Sequence, residues 1–164
     1  MKKQGFLGKR KKAHKLELVE PSEEICKSYL WKADNSLKSA KILLQNSLYE
    51  DSISSSYYAM YNSLTALLFK IGVKCENHAA SILLLRSLFS EEELFRIISF
   101  AKEERIDNQY YITSEKNLAL GKESAEDMAE KAESFLVKTK LFIQEIRNEH
   151  MVNFRGKFAG LNGS

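Results

Sequence analysis

Proline is almost missing from this chain: Pro21 is the only one in 164 residues. Beyond it, no helix is interrupted by a lost amide donor or a ring clash. Cysteine is nearly as scarce. Cys26 and Cys75 are too few for a disulfide scaffold, and two thiols in such a chain are expected to be free and reduced. No run approaches the roughly 18 apolar residues of a membrane span, and no apolar block follows the basic start as a signal peptide requires. A cytoplasmic protein with no membrane attachment is the resulting expectation. The alternating β-branched runs of strands are absent, as are a glycine-rich phosphate loop, an H-E-x-x-H pair and a G-x-S-x-G turn. Cys75 and His78 have C-x2-H spacing but lack a second ligand pair, and Glu91, Glu92 and Glu93 read as a charged helix start. Neither a metal nor a cofactor is expected.

What is present describes one helical domain. A hydrophobic share of 44% and a charged share of 29% are those of a globular protein large enough to bury a core. The formal net charge of +3 is unevenly spread. Residues 1–15, MKKQGFLGKRKKAHK, hold seven Lys or Arg and no acid, leaving 18 basic against 22 acidic residues in the rest. That body has the wrong sign for a broad phosphate-binding surface. The basic start is either a solvated end or an arm for nucleic acid. Residues 1–21 are therefore expected as a flexible tail, 22–150 as the bundle, and 151–164 as a second tail.

Helical periodicity places the elements. Ser22 caps a helix to about Asn46, with Ile25, Tyr29, Ala33, Leu37, Ala40 and Leu44 on one stripe. A second helix runs from about Asp51 to Ile71 on Ile53, Tyr57, Met60, Leu64, Leu67 and Ile71, with Gly72 as its left-handed stop. Its other flanks are small, which lets a neighbouring helix or a second copy approach. Asn77 caps a short third helix through Leu88. Ser90 and Glu93 have capping-box spacing for a fourth helix from about Glu91, with Leu94, Ile98 and Ala101 inward. The last helix spans about Ser124 to Asn148, with Met128, Ala132, Phe135, Thr139, Phe142 and Ile146 inward. The fold class is thus an all-α antiparallel bundle of four long helices and one short one, with essentially no strand.

One stretch breaks this plain pattern. In ERIDNQYY, Glu104 to Tyr111, an arginine occupies the next core position after Ala101, and two phenols follow. Arg105 reads in two ways. It is a cation in the last helical turn whose stem covers apolar surface and whose head reaches Asp107 or a neighbouring helix. Alternatively, its planar fork is aimed at a phosphate or carboxylate. After it, residues 110–123 show no clear helical period and read as a long loop, a feature tied to function or disorder.

SISSSYYAMYNSLTALLFKIGVKCENHAASILL, Ser52 to Leu84, resembles the signature of HEPN domains (higher eukaryote and prokaryote nucleotide-binding) and, more narrowly, a compact prokaryotic branch of them. The matching positions are Tyr57, Tyr58, Ala59, Leu67, Leu68, Gly72 and His78, within a resemblance covering about Ser22 to Glu145. HEPN ribonucleases carry an arginine, four to six intervening residues and a histidine. Arg105 matches the arginine, and Tyr110 stands where the histidine would. The resemblance implies a homodimer working with a minimal nucleotidyltransferase, as in toxin–antitoxin pairs, and binding nucleotide or RNA phosphate. The binding set it implies is Arg105, Asp107, Tyr110, Tyr111, Tyr58 and His78.

Catalysis is the finer question. Histidine moves protons near neutral pH, whereas a phenol titrates near 10 and is a poor base unless strongly perturbed. Arg105 and Tyr110 would be the catalytic pair of a metal-independent endoribonuclease toxin. Without cleavage, the same bundle would be a non-catalytic nucleotide- or partner-binding dimer, or a structural dimer in which Arg105 is merely paired.

Overall fold

A computed structural model of the chain describes residues 5–7, 9, 16–110 and 115–161; of residues 109, 110 and 115–120 it describes the backbone alone. The elements are β1 (Leu16–Leu18), α1 (Glu23–Gln45), α2 (Tyr49–Ile71), β2 (Val73–Cys75), α3 (His78–Ser87), α4 (Glu92–Tyr110), α5 (Glu115–Glu145) and α6 (Asn148–Gly160). The all-α class holds, and no helix among the described residues is long and apolar enough to cross a membrane.

Local chemistry sets three of the helix ends. Ser22 accepts from the Ile25 N–H at 3.1 Å, and Asn77 from the Ala80 N–H at 2.9 Å, each satisfying an orphan donor of a first turn. Gly72 ends α2 at φ 74°, in the left-handed region that glycine enters without steric cost. The capping box expected at Ser90 does not form. Ser90 itself sits at φ 61°, and the Glu91 N–H turns back to the Leu85 carbonyl at 2.7 Å, so α4 starts at Glu92.

The core is organised around α2, which lies against α1, α4 and α5. All six residues of its expected stripe are fully buried, and so are Ser52, Ser56, Ala59, Ser63, Ala66 and, within 1%, Leu68. A helix apolar or small nearly all round is a central helix. Full burial of each large side chain contributes roughly 1.5–3 kcal/mol. On α1 the expected stripe holds at Ala33 and Ala40, which are fully buried, and at Tyr29, Leu37 and Leu44, which pack against the core, while in the first turn Cys26 is buried and Ile25 is 39% exposed.

The strand content is one small antiparallel sheet of two three-residue strands, pairing Leu16 with Cys75 and Leu18 with Val73. Three expectations are corrected. The basic start is not wholly outside the fold, because Leu7 is 2% exposed and joins the core. Most of the expected loop is helix: α4 continues to Tyr110 and α5 begins at Glu115, nine residues before Ser124, while residues 111–114 lie outside the described residues. Finally, residues 148–160, mostly expected as tail, form α6. Phe158 on that helix is fully buried, and Phe154 packs edge-on against Phe89 with centroids 4.9 Å apart. Arg155 fixes α6 in place. Its Nη1 donates to the carbonyls of Val19, Ile71 and Gly72 at 2.8, 3.0 and 3.1 Å, joining the end of α2, the segment after β1 and the last helix.

Candidate functional site

Helical spacing puts Tyr57 and Tyr61 one turn apart on the same face of α2, with Tyr58 about 100° round from Tyr57. His78 is the first residue of α3 and is brought over this face by the Asn77 cap. Its ring stacks on Tyr61 with centroids 3.7 Å apart, and its Nδ1 lies 2.8 Å from the Tyr57 hydroxyl. Tyr61 in turn lies 3.4 Å from the Ser81 hydroxyl.

Arg105 enters from α4. Leu94, Ile98 and Ala101 are buried along its inner line, and Arg105 continues that line as the sequence spacing implied. The guanidinium carbon stands 5.0 Å from the ring centroid of Tyr58 and 5.4 Å from that of Tyr57, within cation–π range of both. The Nε is buried and has no hydrogen-bond partner among the described residues. Leaving such a donor unpaired costs about 1–3 kcal/mol or more for a charged group. Among the described residues, neither Arg105 nor Lys102, one turn earlier on α4, forms an ion pair.

The protonation states follow from this setting. Burial foremost raises the Tyr57 phenol above its ordinary value, as does neighbouring Tyr61, with Arg105 opposing, so Tyr57 is a neutral hydroxyl. Burial also lowers His78, and the charges of Arg105 and Lys102 lower it further, so the imidazole is neutral. A buried phenol needs an acceptor for its proton, and among the described residues His78 Nδ1 is the one within reach. Donation from Tyr57 to Nδ1 leaves the imidazole proton on Nε2. The site thus holds a neutral imidazole, a guanidinium with no ion pair among the described residues, an ammonium and the half-exposed phenol of Tyr58. Those groups suit an anion with an aromatic part.

Of the residues singled out from sequence, Arg105, Tyr58 and His78 come together. Asp107 does not join them as an ion-pair partner of Arg105. It is exposed, and residues two apart on a helix face different sides. The side chain of Tyr110 and all of Tyr111 lie outside the described residues. The α4 backbone carries the Cα of Tyr110 about 140° round from that of Arg105, at 3.6 residues per turn. Tyr57, Tyr61, Ser81 and Lys102 are added. The Tyr57–Tyr61 spacing was a usable signal for a paired aromatic face. Ser81 and Lys102 carried none, because their roles depend on how α3 and α4 pack.

A helical bundle with an arginine projected from its fourth helix onto a tyrosine pair and a histidine defines the class. Residues 26–141 match the HEPN domain, and the chain belongs to that family. Its relatives include the protein named "Putative toxin MJ0605" from Methanocaldococcus jannaschii. That protein is 33% identical over 119 residues, covering 70% of this chain and 85% of the relative.

Proposed function

We propose that this HEPN protein is one half of a toxin–antitoxin-type pair, binds nucleotide or RNA phosphate at Arg105, and works as a homodimer with a minimal nucleotidyltransferase. The carrying observation is the guanidinium itself. It is held over two tyrosine rings with a buried Nε that has no partner among the described residues, next to Lys102 and a neutral His78. A cation merely serving structure would be expected to meet a carboxylate or carbonyl; this one keeps donors for a ligand. The toxin name of the archaeal relative supports the role in a pair. His78 and Tyr58 border the same space, and Tyr110 and Tyr111 follow Arg105 closely in the chain.

The test is binding of a short single-stranded RNA and of a mononucleotide by the purified chain. Arg105→Ala should weaken both at least tenfold, and Arg105→Lys should restore part of the affinity, since a point charge lacks the bidentate fork. Unchanged binding in Arg105→Ala with a lowered melting temperature would make Arg105 a structural residue.

A second reading has its own observation. Reversal of the Tyr57–His78 hydrogen bond, so that Nδ1–H donates to the phenol oxygen, turns Nε2 into a base beside the arginine, and a proton carrier is then present although the motif position holds Tyr110. An endoribonuclease using it would cleave RNA in the presence of chelator and lose that activity in His78→Gln. Cleavage that persists in His78→Gln and disappears in Tyr110→Phe would return the proton-transfer role to the tyrosine.

A further inference from the structure

Next to the Arg105 site, α1 and α2 enclose an open groove of about 380 Å³. We propose that it takes an unpaired nucleobase, stacked on Trp31, from the same nucleotide whose phosphate meets Arg105. The inference rests on the phosphate reading of Arg105 and extends it to the base.

Trp31 is the chain's one tryptophan, yet it is 67% exposed, so its indole contributes little to the core. Tyr58 lines the same groove, 39% exposed, and the Arg105 guanidinium is set over that ring. Tyr58 is therefore the shared wall between the cationic site and the groove. Exposed aromatic faces beside a cation are the elements that bind single-stranded nucleic acid, through stacking and backbone charge.

The groove's polar groups fit the rest of a nucleotide. Asn35 and Asn62 offer amides, each with donors and an acceptor, as the edge of a base requires. Asn62 Nδ2 donates to the Ser36 hydroxyl across the groove at 3.4 Å, a long bond that a ligand group can replace. None of the lining residues is acidic, although residues beyond 15 carry more acids than bases. Lys32 at the rim, its ammonium 4.5 Å from the Tyr29 ring centroid, adds positive charge. The volume is within the range of about 300–1,000 Å³ typical of small-ligand clefts. Homodimer cores are more apolar than this serine- and asparagine-lined surface, which favours a nucleotide over a second copy.

Trp31 is its own reporter. The full chain is titrated with adenosine 5′-monophosphate, with ribose 5-phosphate and with an unstructured RNA octanucleotide, followed by tryptophan fluorescence and calorimetry. The two base-bearing probes should quench Trp31, while ribose 5-phosphate binds without quenching. Trp31→Ala should weaken the base-bearing probes by roughly 5- to 150-fold, the factor for one lost base–aromatic stack. It should leave ribose 5-phosphate unchanged, and Trp31→Tyr should recover most of the loss. Octanucleotide binding tighter than mononucleotide binding, with the same Trp31 dependence, assigns an RNA strand; equal binding assigns a free nucleotide.

Base-bearing probes that bind equally well to Trp31→Ala, while Arg105→Ala weakens all three, would overturn the groove assignment and leave the phosphate reading standing. The converse pattern would keep the base groove and overturn the phosphate reading. No binding of any probe overturns both. A shift from dimer to monomer in Trp31→Ala, with nucleotide affinity unchanged, would make the groove a contact between copies and overturn the proposal.

Discussion

At the scale of single residues, the Tyr57–His78 hydrogen bond links packing to titration. The phenol donates to Nδ1 of the neutral ring, so it favours the unprotonated imidazole, in the same direction as burial and the charges of Arg105 and Lys102. Tyr57→Phe should move the His78 titration toward its ordinary value near 6.5, read from the ring-proton shifts by NMR, and cost about 1 kcal/mol of stability. The lowered value also fixes the sign of a pH effect. His78 takes up a proton less readily in the folded than in the unfolded chain, so the unfolded state binds more protons as the medium turns acid. The corresponding stability is complete above about pH 6.5 and is lost as pH falls through the depressed folded value. Urea midpoints measured from pH 7.5 downward should decline in that window, and the decline should shrink in His78→Gln. An unchanged slope in that variant would place the acid sensitivity elsewhere.

Among the elements, the joint where α2, β2 and α6 meet is the most sensitive to substitution. A Cβ on Gly72 would stand 2.2 Å from Arg155 Nη1 and 2.3 Å from the Val19 carbonyl oxygen, in a left-handed conformation. The side chain could swing away, but the backbone oxygen cannot move without pulling the segment after β1. Gly72→Ala should therefore cost at least about 2 kcal/mol, the conformational penalty of roughly 1–2 kcal/mol plus the clash. Arg155→Ala leaves the clash absent but the carbonyls less satisfied, at about 1.5–3 kcal/mol for charged hydrogen bonds. The two effects share atoms, so the double variant should lose less than the sum in chemical denaturation. Full additivity would mean that the Arg155 contacts do not hold this joint.

For the molecule as a whole, α6 belongs to the folded body. Phe158 is completely buried, and Phe154, Phe89 and Phe142 form an edge-to-face cluster between α6, the α3–α4 junction and α5. Phe158→Ala should cost about 3–5 kcal/mol in chemical denaturation, while leaving the far-UV signature helical. A loss below 1 kcal/mol would mean that α6 is detached in solution. The proposed homodimer also belongs at this scale. Tyr58 and Asn62 line the groove assigned above to a nucleobase, and Ser63 is wholly buried, its hydroxyl donating to the Met60 carbonyl at 2.8 Å. Ser63 therefore cannot touch a second copy while α2 stays in place.

Sequence by itself determined the helices of the central bundle. Their signals are local: the stripe on Ile53, Tyr57, Met60, Leu64, Leu67 and Ile71, the caps at Ser22 and Asn77, and the glycine stop after Ile71 are read within a few turns of chain. The inward line ending at Arg105 was legible for the same reason. Tertiary structure decided what that arginine faces. His78 and Tyr57 are 21 positions apart and meet only because α3 folds back over α2. It also decided the fate of the chain ends. Arg155 docks α6 onto three backbone carbonyls, and a carbonyl looks the same at every residue, so no side-chain pattern marks where the arginine will bind. β1 was equally hidden, since a three-residue strand is too short for alternation to show and becomes a strand through its pairing with β2.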